Sequence, residues 1–277
     1  MAGAYIRTAL WWSWWGAMPT ARRCPSPEPP RRPKSPTARR AMVRHPPSLR
    51  PLVVAASGGR RTAGGGGSAG AGHRRVRAAG HRGTGHVRII GGRLRGRRLP
   101  VPQHTGLRPT TDRVRETLFN WLAADIPGSH CLDCFAGAGA LGFEAFSRGA
   151  AQVLLLERDE RVAAGLAANA EVLRAAAAQD VILATAQLQV VQADAPCWLA
   201  ARPPVAFDIV FLDPPFDGAL LAAACEHLTR GWLKPGAAVY LEIPAAAPIP
   251  ALPEHWHLMR ERTAGQVRYA LARFEPA

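Results

Sequence analysis

From about position 130 onward, short apolar runs alternate with longer stretches of mixed character, the rhythm of a sheet whose strands are linked by helices. Residues 130–135, 153–156, 188–193 and 207–212 are short and mostly leucine, β-branched or aromatic, which predicts four strands. The last of them, Phe-Asp-Ile-Val-Phe-Leu, is apolar enough to be buried on both faces. Between the first two lies a glycine loop at 136–142. A run of small and apolar residues then reaches Ser147 and Arg148, with Gly149 placed to stop a helix. Strand, loop, helix and strand in this order predict an open, mostly parallel α/β sheet, whose ligands bind at the carboxyl edge.

Each predicted strand ends on an acid: Asp133, Glu157, Asp194 and Asp213. Any one of them is an ordinary solvated loop residue when taken alone, but four in order point to one polar site. Asp133 lies just before Gly137-x-Gly139-x-x-Gly142, glycines that would let a ligand approach the backbone. Glu157 stands at the distance after such a loop where a ribose-binding acid is expected. An acid before the loop is a poor neighbour for a pyrophosphate, which weakens a dinucleotide oxidoreductase reading. S-adenosylmethionine, with an amino-acid tail and a sulfonium but no phosphate, suits Asp133 better. Asp194 would accept from an adenine amine.

Asp213 opens the tetrapeptide Asp213-Pro214-Pro215-Phe216. An exocyclic amine of a nucleobase has its lone pair delocalised into the ring, and acceptors aimed at its two N–H bonds localise that pair for attack. Asp213 supplies a carboxylate, and the Pro214 carbonyl supplies a second acceptor held in direction by the ring of Pro215. Phe216 would stack on the base, a contact worth about 1–3 kcal/mol. The plain alternative is a strand that ends in a proline turn.

Charge changes the picture at the amino terminus. The formal excess of +15 lies entirely before residue 87, because from there on basic and acidic side chains cancel. Residues 1–86 are dense in Pro, Gly and Arg, including Gly64 to Gly67 followed by Ser68, and that composition predicts a disordered basic extension. Trp11, Trp12, Trp14 and Trp15 sit in an apolar stretch too short to span a bilayer, so no membrane is expected. An over-extended reading frame, with the start near Met42 or at Val87, is the economical expectation for this segment. Downstream, Arg88, Arg93, Arg95, Arg97, Arg98, Arg108, Arg113 and Arg115 face a single acid, Asp112, and phosphates are the natural partner of such a stretch. Thr110, Thr111 or Asp112 is placed to cap a helix whose buried face includes Phe119, Trp121 and Leu122.

Five cysteines show no paired metal spacing, and Cys131 and Cys134 flank Asp133 in a strand where packing is their expected role. The nine histidines form no cluster, so no metal is expected.

With these residues assembled, positions 87 to about 274 resemble the bacterial 16S rRNA guanine-N2 methyltransferases of the small-subunit methyltransferase D type. The resemblance is carried by residues 88–99 as an amino-terminal hairpin, 108–122 as the next block, 133–142, 213–216, and Gly265-Gln266-Val267 as a closing hairpin. It implies a class I S-adenosylmethionine-dependent methyltransferase fold, Rossmann-like, with seven mostly parallel strands, an antiparallel last strand and a small amino-terminal hairpin. The domains implied are an extension over 1–86, a hairpin and RNA-contact segment over 87–107, and a methyltransferase domain over 108–277. Asp133, Phe135, Gly137, Gly139, Glu157, Arg158, Asp194 and Ala195 would bind S-adenosylmethionine, and Asp213, Pro214, Pro215 and Phe216 would act on the base. Arg88, Arg93, Arg95, Arg97, Arg98, Arg108 and Arg113 would bind RNA. The partner implied is 16S rRNA in the small ribosomal subunit or an assembly intermediate, and a cytoplasmic monomer is expected. The residues leave two rivals open: an adenine-N6 methyltransferase on DNA or RNA, and an RNA-binding assembly factor without catalysis. A loose alanine-rich connection is expected over 175–186, and a proline-rich loop over 244–253.

Overall fold

A computed structural model of the chain describes residues 85–101, 110–201, 205–215 and 218–277. The expected extension up to residue 84, Arg108 and Phe216 lie outside the described residues.

A two-stranded antiparallel hairpin comes first, with β1 (His86–Arg88) paired to β2 (Arg98–Pro100). Helix α1 (Asp112–Trp121) follows, and Thr111 caps it by accepting from the Val114 amide. Next come β3 (His130–Asp133), α2 (Ala140–Ser147), β4 (Gln152–Glu157), α3 (Glu160–Ala177) and β5 (Gln187–Gln192). Helix α4 (Ala195–Leu199), β6 (Phe207–Leu212), α5 (Gly218–Leu228), β7 (Leu233–Pro244), β8 (Trp256–Ala264) and β9 (Val267–Phe274) complete the order. The seven-stranded sheet runs β5-β4-β3-β6-β7-β9-β8. Pairs among β3 to β7 are parallel, and β9 is antiparallel to both of its neighbours. The expected α/β sheet with a reversed last strand is therefore the observed one.

The period of two along each strand sorts the core into two layers. Cys131, Val153, Leu155, Ile209, Phe211 and Tyr240 join residues of α1, α2 and α3 on one face. Leu132, Leu154, Leu156, Val210, Leu212 and Leu241 join residues of α4 and α5 on the other. Strands covered on both sides have no polar side to show, which is why the apolar runs were nearly continuous. The outer strand β8 is the exception, with positions 257–263 all exposed. The alanine-rich stretch is more ordered than expected: α3 continues through Ala177, and a 3-10 turn spans Leu183–Thr185. Alanine is the strongest helix former, so the helix runs on until Asp180 accepts from the amides of Ile182 and Leu183.

The hairpin is bound to this core through the end of α2. Ile89, Leu94 and Leu99 are buried in the same layer as Val114, Leu118 and Phe119 of α1. The Ser147 hydroxyl donates to the Gly91 carbonyl at 2.7 Å and accepts from the Leu94 amide at 3.0 Å. Gly92, at φ +73°, has room for no side chain, since a Cβ there would fall 2.1 Å from the Ser147 carbonyl oxygen. Glu144, fully buried, accepts from the Ile90 amide at 2.9 Å and from Arg148 at 2.7 Å. The Arg115 guanidinium, 2% exposed, lies 3.6 Å from the same carboxylate and donates to the Arg88 carbonyl at 2.9 Å. Arg115 therefore departs from the basic stretch to which the sequence assigned it: it serves the interior and is not available to phosphates. Removing one partner of a buried ion pair strands the other charge, at a cost of about 3–5 kcal/mol. Glu144→Ala should lower the free energy of urea unfolding by that amount and loosen the hairpin first, as faster amide exchange at Ile90 would show.

Candidate active site

The carboxyl ends of β3, β4, β5 and β6 open into one cavity of about 1010 Å³, closed on its far side by the turn between β8 and β9. It lies beside the point where the chain order of the strands reverses, between β3 and β6. All four strand-end acids line it: Asp133, Glu157, Asp194 and Asp213. The convergence expected from the sequence is thus what the fold produces.

Three of these acids, Asp133, Glu157 and Asp194, are held by backbone donors before any ligand arrives. Asp133, 2% exposed, accepts from the Gly142 amide at 3.0 Å and fastens the start of α2 to the end of β3. Burial pushes its carboxyl up to about 7, against the pull of its hydrogen bonds to the Gly142 and Phe135 amides. Glu157 accepts from the Gly137 amide at 3.0 Å and from the Asp159 amide at 2.8 Å, using one oxygen for each. Every carboxylate oxygen has a second lone pair, so both remain able to accept from ribose hydroxyls. Asp194 caps α4 through the Cys197 amide at 3.2 Å. Ala195 is buried beside it, Phe135 is half-buried on the cavity wall and Arg158 is exposed at its rim.

The three loop glycines do different things. Gly139, at φ +75°, has Phe143 and Leu166 packed where a Cβ would stand, at 2.3 and 2.8 Å, so its missing side chain serves the interior. Gly142 gives way in the same sense to Leu155 of β4. Only Gly137, at φ +50°, both lines the cavity and donates to a strand-end acid. A larger residue at 139 would therefore disturb α2 and α3 before it touched a ligand.

Around Asp213 the structure adds groups that the sequence reading did not pick out. The Thr110 hydroxyl donates to Asp213 at 3.1 Å, while its neighbour Thr111 caps α1. Glu242 of β7 lines the same cavity and accepts from the Tyr240 hydroxyl at 2.8 Å. Burial, and then the nearby charges of Glu242 and Asp133, raise the Asp213 carboxyl well above the usual carboxylate range; the Thr110 hydrogen bond opposes them. Burial also raises Glu242, opposed by its hydrogen bonds with Tyr240 and Thr110. A carboxylate inside the apolar run Val-Tyr-Leu-Glu-Ile was the one available signal for this residue. Pro214 is buried and Pro215 exposed.

On the outer surface, Arg88 pairs with Asp112 at 2.9 Å and Arg93 with Asp180 at 3.0 Å. Arg95, Arg97, Arg98 and Arg113 are exposed, and none is in an ion pair among the described residues. Cys131, Cys134 and Cys225 are buried free thiols, and no group of three or more metal-ligating side chains occurs among the described residues. No helix there is long and apolar enough to cross a membrane.

Sheet order, the reversed last strand and a glycine loop facing the reversal point together define a class I methyltransferase, the class whose methyl donor is S-adenosylmethionine. The cavity fits that donor. Its acids suit a cationic tail, a ribose and an adenine amine, and Gly137 leaves the backbone bare where the tail would lie. The family model described as conserved hypothetical protein 95 matches residues 87–273. Ribosomal RNA small subunit methyltransferase D of Escherichia coli K12 is 48% identical over 192 residues, covering 69% of this chain and 91% of that protein. The protein of the same name from Haemophilus influenzae is 45% identical over 188 residues, covering 68% and 93%. A solved structure of a putative methyltransferase from Escherichia coli superposes with a TM-score of 0.61 at 45% identity, covering 69% of this chain and 99% of that one. The chain belongs to the small-subunit rRNA methyltransferase D family.

The raised Asp133 carboxyl gives a signed expectation for stability. The folded chain binds a proton that the unfolded chain has released at any pH between the ordinary aspartate value, about 4, and about 7. This residue therefore favours folding most below about pH 4, and that contribution is lost as the pH rises to 7. In urea unfolding of the cofactor-free protein, Asp133→Asn should flatten the fall in stability across about pH 5–7, by up to about 1.4 kcal/mol per pH unit.

Proposed function

We propose that this protein transfers a methyl group from S-adenosylmethionine to the exocyclic N2 amine of one guanine in 16S rRNA, within the small ribosomal subunit or an assembly intermediate. The observation that carries the reading is the convergence of Asp133, Glu157, Asp194 and Asp213 on one cavity, in a chain whose relatives are named small-subunit rRNA methyltransferases. S-adenosylmethionine supplies the methyl group as a sulfonium electrophile and leaves as a neutral thioether.

The remaining work falls to side chains and backbone of this chain. Glu157 receives the ribose hydroxyls, Asp194 and Ala195 the adenine, and Asp133, Phe135 and Gly137 shape the end where the amino-acid tail lies, with Arg158 at the rim and Gly139 acting from behind the loop through its packing on Phe143 and Leu166. Asp213 and the Pro214 carbonyl accept from the two N–H bonds of the target amine, so its lone pair is directed at the methyl carbon. Phe216 stacks on the base. Arg95, Arg97, Arg98 and Arg113 neutralise phosphates directly. Arg88 and Arg93 exchange carboxylate partners at the surface for phosphates, which costs little because ion pairs in contact with water are weak. Arg108 takes the same phosphate-binding role. Residues 1–86 bring basic charge and no part of the methyl-transfer machinery, and the enzyme works as a cytoplasmic monomer.

The deciding experiment is mapping of methylated nucleosides in 16S rRNA from particles incubated with the protein and S-adenosylmethionine. N2-methylguanosine at one site supports the proposal, and N6-methyladenosine or no product overturns it. Asp213→Asn keeps the shape but removes the acidic acceptor, so single-turnover methylation should slow by about 10²–10⁴ fold while cofactor affinity stays within a few fold. Replacing Arg95, Arg97 and Arg98 by Gln should weaken RNA binding and reduce the slope of log affinity against log salt by about 2–3. Calorimetry should find S-adenosylmethionine affinity unchanged in that variant.

A further inference from the structure

The acceptor that orients the amine must also deal with its proton. Once nitrogen has gained the methyl carbon, one N–H bond has to break with its electrons staying on nitrogen, and the proton needs a base. Asp213 is the nearest carboxylate in the proposed site, and its position in the sheet gives it a partner. Strands β6 and β7 are parallel with Leu212 opposite Leu241, so the next residues along, Asp213 and Glu242, lie side by side. Both line the cavity. Neighbouring strands are only about 4.8 Å apart, close enough for two carboxyls to feel each other's charge.

Two hydroxyls divide the pair unequally. Thr110 donates to Asp213 at 3.1 Å and lies near enough to Glu242 to stabilise its ionised form as well, yet it has a single proton to give. Tyr240 donates to Glu242 alone, at 2.8 Å. Glu242 therefore has the better-served carboxylate and ionises first, and its charge acts on Asp213. The other titratable groups facing the pair are Asp133 on β3 and the phenols of Tyr240 on β7 and, beyond it, Tyr269 on β9. Asp133 pushes Asp213 up, Tyr240 holds Glu242 down through its hydrogen bond, and Tyr269 acts on Tyr240.

We propose that Glu242 is a positioning residue for methyl transfer: through its negative charge beside Asp213 it keeps Asp213 basic enough to take the proton released by the methylated amine. Glu242 does not touch the base. Asp213 accepts the proton as an O–H bond, and gives it to water when the methylated nucleotide leaves the cavity. A carboxylate tuned upward toward the working pH is a better base than one at its ordinary value. This inference rests on the proposed methyl transfer to an exocyclic amine.

Glu242→Gln keeps size and an acceptor for Tyr240 while removing the charge. The acid limb of the pH profile of single-turnover methylation should move down by about one pH unit or more, because Asp213 no longer faces an anion. The plateau rate should fall by about tenfold, because the base is weaker. A pH profile that keeps its acid limb in place, whatever happens to the plateau, would show that Glu242 is merely structural. The free protein offers a readout without turnover: the side-chain carboxyl carbon of Asp213, followed by NMR, should titrate in two coupled steps in the wild type and in one step at lower pH in Glu242→Gln. A single uncoupled step in the wild type would overturn the inference even if the variant failed to fold. Absence of methylation by the wild-type protein would instead overturn the proposed function, and the two failures are read from different samples.

Discussion

Parallel pairing in a fixed register is the constraint on which everything else here depends. Leu132 stands opposite Leu154 and Val210, Leu154 opposite Gln189, and Leu212 opposite Leu241. Strands that run the same way end on the same edge, so an acid placed one step after each apolar run reaches a common cavity without any loop having to carry it there. A slip of one residue in any pair would exchange the two core layers and turn the acid away from its neighbours. The apolar alternation that fills the two cores and the polar convergence that makes the site are thus one specification.

That arrangement sets carboxyls against each other in a partly dry space, and the fold answers with hydrogen-bond donors more than with cations. Asp133 has the amides of Gly142 and Phe135, Glu157 those of Gly137 and Asp159, and Asp194 that of Cys197. Asp213 and Glu242 have hydroxyls. Burial raises the proton affinity of Asp133, Asp213 and Glu242, and donors of this kind oppose that rise without cancelling it. A cavity left with unneutralised acids favours a cationic ligand, so S-adenosylmethionine supplies the charge that the protein withholds.

The sequence made the strand-end acids legible because each follows an apolar run that ends abruptly, and it made the sheet legible because fully covered strands leave no polar alternation. It did not expose the partners that come from other elements. Thr110 belongs to a helix entrance more than a hundred residues from Asp213, and only the packing of α1 on the sheet joins them. Tyr240 and Glu242 lie inside a run that reads as plain core. Arg115 stands among surface arginines in the sequence, but one turn from Leu118 and two from Leu122 it falls on the buried side of the helix. Gly139 matched a ligand-loop pattern, yet the atoms that exclude a side chain there are those of Phe143 and Leu166. A spacing motif reports that a glycine is needed, and only packing says by what.

The buried cluster around Glu144 bears on substrate engagement although it lies away from the cavity. Arg95, Arg97 and Arg98 stand on a hairpin of two three-residue strands, which could not hold its shape alone in water. Glu144 and Ser147 bind that hairpin to α2, and α2 begins at the loop whose Gly142 amide is held by Asp133. The hairpin with its exposed arginines and the cavity are therefore tied to opposite ends of one eight-residue helix, spanning about 12 Å at 1.5 Å per residue. A helix transmits position without lengthening, so the hairpin that carries these arginines is held at a fixed offset from the cavity.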